Sequence, residues 1–151
     1  MFGCLRSNLR HPLYPDLPVT PAVAATGRHT VLAGSFPQLA QAARQGACAS
    51  RAVFVLYGEG APLPGASQRE QLWQWFPVPS YVLVLGADGQ PRAYECEAQE
   101  GLHVAADWPH RPGNLETALC PCGRPGRRVY GTVKRSPQFA PRRPRAHSLS
   151  A

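Results

Sequence analysis

Four side chains with an affinity for soft or borderline metal ions, Cys96, His103, Cys120 and Cys122, fall within 27 residues of a 151-residue chain. Zinc takes four ligands in a tetrahedron and draws them mainly from cysteine thiolate and histidine imidazole. Six residues separate Cys96 from His103, room for a strand end and a turn at Gly101. Cys120-Pro121-Cys122-Gly123 then supplies two thiolates from one loop, and Pro121 and Gly123 suit a tight knuckle. Three thiolates and one imidazole would close the coordination sphere, so the expected ion is a structural Zn2+ rather than a catalytic one. Cys-x-Cys is less diagnostic than Cys-x-x-Cys, and two other readings fit the same residues: separately buried thiols, and a redox pair. His110 competes with His103 for the imidazole position.

The remaining chemistry is sparse. Five cysteines are an odd number, and the start, Met1 to Arg6, carries no secretory pattern, so a disulfide framework is disfavoured against metal binding. A cytoplasmic location is the expectation. Cys48 reads as a buried or half-buried thiol and Cys4 as a terminal bystander. No apolar run approaches the roughly 20 residues that cross a bilayer. Glu59 and Asp88 have no evident carboxylate partner and read as turn or surface residues. No Ser-His-Asp or Cys-His nucleophile arrangement stands out. Trp73, Trp75 and Trp108 read as packing residues rather than a platform for stacked bases.

The net charge of +7 looks like a nucleic-acid signal until it is located. Residues 1–116 carry eight Arg against nine acids, whereas the remainder carries seven Arg and Lys134 with no acid. The body is therefore near neutral and the basicity belongs to a tail, which reads first as a solvated segment.

The elements that must position the cluster follow from periodicity. Residues 1–29, with Pro12, Pro15, Pro18 and Pro21 at every third position, predict an irregular arm. It is either a polyproline-II segment lying on the body or a disordered leader. A domain over 30–135 follows, and 136–151 read as a basic, disordered tail. His29–Ala33, Ala52–Tyr57 and Tyr81–Leu85 read as strands, the latter two as continuous apolar runs covered on both faces. Ser35 with Gln38, and Ser67 with Glu70, have capping-box spacing and predict a helix after each of the first two strands. The apolar faces are Phe36, Leu39, Ala40 and Ala43 in one, and Leu72, Trp75 and Phe76 in the other. Strand–helix–strand–helix–strand implies a parallel core with right-handed crossovers. Asp88-Gly89 between two strand-like runs predicts a hairpin, with Arg92 to Cys96 returning antiparallel and delivering Cys96 to the sheet edge. Pro109 to Gly113 reads as a loop and Arg127 to Val133 as one more short strand. The fold expected is α/β: a small, parallel-cored mixed sheet with two crossover helices, an antiparallel hairpin and a zinc knuckle.

The pieces Val31-Leu32-Ala33-Gly34-Ser35, Gly58-Glu59-Gly60-Ala61-Pro62-Leu63-Pro64, Ala93-Tyr94-Glu95-Cys96-Glu97, Gly101-Leu102-His103-Val104 and Cys120-Pro121-Cys122-Gly123-Arg124 occur in that order. Their collinear arrangement over residues 30–135 resembles the phenylacetate–CoA ligase branch of the adenylate-forming, AMP-binding enzymes. The resemblance implies a structural zinc held by the cysteine and histidine elements. It also marks what has changed. Such ligases are about three times longer and bring a Ser/Thr/Gly-rich phosphate loop from upstream of the matched region. Where the family has a Tyr-Gly-x-x-Glu type element, this chain has Leu85-Gly86-Ala87-Asp88-Gly89. The mobile C-terminal domain and its lysine have no counterpart, and Lys134 is the only lysine present. Adenylation depends on positioned charge at the phosphates. The resemblance thus implies a truncated, degenerate form: a pseudoenzyme with a binding or regulatory role towards a protein or a CoA-related ligand. The alternatives are an active part or partner of an acyl/aryl–CoA ligase and a nucleic-acid-binding module that uses the basic tail.

Overall fold

Three apolar stretches build the centre of the sheet in the computed structural model, which describes residues 9–105, 115–116 and 118–129. Strands β2 (Arg28–Gly34), β3 (Cys48–Gly58) and β4 (Ser80–Leu85) pair in parallel, with Leu32 beside Val53 and Val55 beside Val82. Their residues are almost wholly buried from Val31 to Gly34, Ala52 to Leu56 and Tyr81 to Leu85, as expected of strands covered on both faces. Helix α1 (Phe36–Arg44) connects β2 to β3, and α2 (Ala66–Trp75) connects β3 to β4. Leu39 and Ala42 of α1 and Leu72 of α2 share one apolar cluster with Leu32, Val53 and Val55, so both helices cover the same sheet face.

The chain then reverses. Gly86-Ala87-Asp88-Gly89 turns back on itself, with the Gly89 N–H donating to the Gly86 carbonyl at 2.9 Å and Gly89 at φ +75°. Asp88 accepts from the Gln90 N–H at 3.0 Å and pairs with Arg92 at 2.6 Å, which assigns it the turn role that its position suggests. Strand β5 (Pro91–Glu95) returns antiparallel to β4, and β6 (Leu102–Val104) pairs with β5. Two very short strands, β7 (Leu115–Glu116) and β8 (Arg128–Val129), complete the edge. With β1 (Val19–Pro21) parallel to β2 at the other edge, the eight strands run β1-β2-β3-β4-β5-β6-β8-β7.

Three local readings are corrected. Regular structure does occur before residue 30: Val19–Pro21 is a strand, tolerated because Pro21 lies on an edge strand paired on one side only. Upstream of it, His11-Pro12-Leu13-Tyr14 forms a turn, closed by the Tyr14 N–H on the His11 carbonyl at 2.9 Å. Leu13 is buried, and Leu9, Tyr14 and Leu17 pack beside it on the sheet face away from the helices. The second correction concerns α2. Ser35 and Gln38 form the expected reciprocal cap of α1, but α2 starts from Gly65 with no side-chain cap. Ser67 already has helical backbone there, and the Glu70 carboxylate accepts from Gln74 instead. Third, Cys48 is exposed rather than buried. Strand β3 extends four residues before the apolar run, and its pairing with β4 begins only at Val53. Cys4, Trp108, His110, the Pro109–Gly113 loop, residues 130–133 of the expected last strand and the basic tail lie outside the described residues.

Candidate metal centre

The sheet face opposite the helices holds the cluster. Pairing of Leu83 with Tyr94, Tyr94 with His103 and His103 with Arg128 aligns these residues across four strands on one face. Cys96 follows two residues after Tyr94, just past the end of β5, and so faces the same way. Cys120 and Cys122 come from the connection between β7 and β8, which folds back over that face. Two turns present the thiols. The Gln99 N–H bonds the Cys96 carbonyl and the Gly123 N–H bonds the Cys120 carbonyl, both at 2.9 Å. Gln99 at φ +53° and Gly123 at +74° are the fourth residues of these turns, and in each the chain leaves the turn in the left-handed region. Gln99 is held there by its side-chain amide, which donates to the Ser80 carbonyl at 3.1 Å.

The four ligand atoms all lie within 4.8 Å of one another. Cys96 Sγ is 3.5 Å from Cys120 Sγ, and Cys122 Sγ is 3.4 Å from His103 Nε2. The edges of a tetrahedron with zinc–sulfur bonds of ~2.3 Å and zinc–nitrogen bonds of ~2.0 Å measure roughly 3.5–3.8 Å, so the spacing and donor set fit such an ion. Cys96, Cys120 and His103 are buried and Cys122 is half-buried. Tyr94 stacks on the His103 ring at 5.2 Å and 16°, which fixes its plane. Its far nitrogen, Nδ1, is buried with no hydrogen-bond partner among the described residues.

Electrostatics separate the ligands. Burial, reinforced by the neighbouring thiols, pushes Cys96 up to about 12, so without a metal it is a neutral thiol. His103 is held below the ordinary imidazole value by burial and by nearby Arg128 and Arg124, leaving it neutral and able to ligate at pH 7. Cys122 differs. Burial would raise it, but hydrogen bonds from the Arg124 N–H, Cys120 and Cys96 outweigh that and leave it below the usual thiol range.

Several polar residues around the cluster carry no signal in sequence. Arg124 forks onto the Glu97 carboxylate, tying the two ligand turns together. Arg128 is buried beside Cys120. Both arginines count towards tail basicity in the linear chain, and only the folded edge reveals their places. On the other face, Arg69 of α2 makes a forked bond to buried Glu95 at 2.8 and 3.2 Å, and Glu95 also accepts from the Val82 N–H at 3.1 Å. His11 is fully buried, stacked on Phe54 at 3.8 Å and edge-on to Tyr94 at 5.6 Å. The Gly58–Gly65 segment connects β3 to α2, as its position between a strand and a helix implies. Trp75 is half-buried against Phe36, as a packing residue should be, whereas Trp73 is exposed, which corrects its reading as one.

Among the described residues, fold and site together define a mixed α/β protein with one eight-stranded sheet, two α-helices and a buried Cys3His cluster able to hold a metal ion. No protein-family model matches the chain, and no curated protein does. Among the described residues, no helix is long and apolar enough to cross a membrane.

Proposed function

We propose that the Cys3His cluster binds one structural Zn2+ and that the protein is a non-catalytic, zinc-stabilised α/β module with a binding or regulatory role. The convergence of four ligand atoms within 4.8 Å carries this reading. Cysteine thiolates with one imidazole are a zinc donor set, and four protein ligands leave no open position for substrate or water. The fold also has a use for the ion. Strands β6, β7 and β8 have three, two and two residues, too little pairing to hold an edge by themselves. A metal bridging Cys96, His103 and the Cys120–Cys122 loop would fasten that edge to the sheet. A cytoplasmic setting, where thiols stay reduced, suits the site.

The wider role rests on the resemblance to phenylacetate–CoA ligases, with a protein or a CoA-related compound as the partner. Purified protein is expected to carry one zinc per chain, and chelation is expected to lower its melting temperature by several degrees. Metal-free protein, or melting indifferent to a chelator, would sink the zinc reading. ATP–pyrophosphate exchange is expected to be absent with aryl and acyl acids. Exchange above background would overturn the non-catalytic role and favour an active ligase fragment.

A further inference from the structure

Arg128 is a buried cation in direct contact with the cluster. Its side chain is 4% exposed, whereas the carboxylates near it, Glu116 and Glu100, are 37% and 60% exposed. Negative charge buried beside such a cation offsets part of its lost hydration. The ligand set lies directly beside it. Arg128 lies directly across from His103 in the sheet, on the same face, and its Nη1 donates to Cys120 Sγ at 3.5 Å. The same nitrogen donates to the Glu100 carbonyl at 3.1 Å, while Nη2 bonds Glu116 at 2.7 Å.

Three thiolates and a neutral imidazole around Zn2+ carry one net negative charge. We infer that Arg128 is the counter-ion and positioning residue of this centre, holding Cys120 in place and neutralising the metal–thiolate charge. The inference rests on the zinc reading and deepens it. Because Arg128 stands in β8 and Glu116 in β7, one guanidinium joins both ends of the Cys120–Cys122 connection to one of its thiolates. Loading the metal and docking the sheet edge thereby become one event. The hydrogen bond also withdraws electron density from the Cys120 sulfur, shielding it from electrophiles.

The test uses the full chain and zinc as the probe. Zinc affinity is measured by competition with a chromophoric chelator, and iodoacetamide alkylation of the zinc-loaded protein is resolved by cysteine, with exposed Cys48 as the internal standard. Loss of a residue that supports a metal ligand typically costs 10–100-fold in metal affinity. Arg128→Met is expected to bind zinc at least tenfold more weakly and to speed alkylation of Cys120 relative to Cys48, with Arg128→Lys recovering part of both. Glu116→Gln separates this role from a purely structural one, since it removes a tie between β7 and β8 but leaves the guanidinium on Cys120. It is expected to leave the Cys120 alkylation rate near wild type. Equal zinc affinity and alkylation in wild type and Arg128→Met would overturn the inference alone. Failure of the wild type to bind zinc would overturn the zinc reading and this inference together. Should Arg128→Met not fold, Arg128→Lys and Glu116→Gln decide. Faster Cys120 alkylation in the former only supports the role, and equal rates in both overturn it.

Discussion

At the scale of single residues, the least expected side chain is His11. It sits in a stretch whose prolines speak only of irregular backbone, yet it is fully buried between Phe54 and Tyr94. Its Nδ1 accepts the Leu13 N–H at 3.0 Å, and its Nε2 has no partner among the described residues. Burial, helped by nearby Arg124 and opposed by Glu97, brings it down to about 3 from the ordinary 6.5. The neutral ring is thus the folded form, and an unfolded chain takes up a proton that the folded one refuses. Below about pH 6.5 stability should fall with pH by ~1.4 kcal/mol per unit until the folded pKa is reached. His11→Phe keeps the stacking, is expected to cost about 1 kcal/mol at pH 7 through the lost Leu13 bond, and should flatten that slope. Denaturant melts of both proteins from pH 4 to 7 check this. The Cys3His cluster is common to both, so their difference isolates His11, and parallel slopes would rule the mechanism out. The ligand residues behave differently with pH. Cys96 must lose a proton to bind a metal, so zinc affinity should fall as pH is lowered from 8 to 6, read by the same chelator competition.

At the scale of elements, much of the body was legible because each signal was local. The Ser35–Gln38 box, the apolar runs of β3 and β4 and the Asp88-Gly89 turn each need only a few neighbouring residues to act. What escaped depended on partners remote in sequence. Whether Pro21 ends a strand depends on its lying at the sheet edge, and whether Cys48 is buried depends on where β4 begins its pairing. The four cluster residues could be named in sequence because cysteine and histidine declare their chemistry. The roles of Arg124, Arg128 and Glu95 could not, since the same residue types also serve on any solvated surface. Two element-scale outcomes follow. A Cβ at Gly34 would stand 2.7 Å from Ala22 Cβ and 3.2 Å from Gln38 Cβ. Ala22 is buried and has no rotamer to yield, so Gly34→Ala should lose ~1–3 kcal/mol by overpacking where β2 passes into α1. Glu95→Ala strips Arg69 and the Val82 N–H of a buried acceptor. Complete burial of such a pair would make this cost ~3–5 kcal/mol. Arg69 is one-third exposed, so about 2 kcal/mol is the better expectation for loss of the α2–β5 tie. Urea melts of both variants measure these losses.

At the scale of the molecule, the charge account changes once the edge is folded. Arg124 and Arg128 belong to the basic stretch after Glu116, but they are engaged by Glu97, Glu116 and Glu100. That takes two cations from the charge open to a polyanion and leaves such a reading to the tail. Polynucleotide binding, if measured, should be feeble at 0.15 M salt, and tight binding that falls steeply with added salt would favour that reading. The two faces of the sheet are also built from different materials. One is sealed by helices with their own apolar cluster, and the other by short turns converging on the Cys3His residues. If the proposed zinc fills the cluster, a cell short of it would not confront a uniformly weakened protein. Amide protons of β2, β3 and β4 should exchange slowly whether or not the ion is bound, while those of β6 and β8 turn fast on its removal. The chain would then report the local supply of one trace element through the fraying of a single margin.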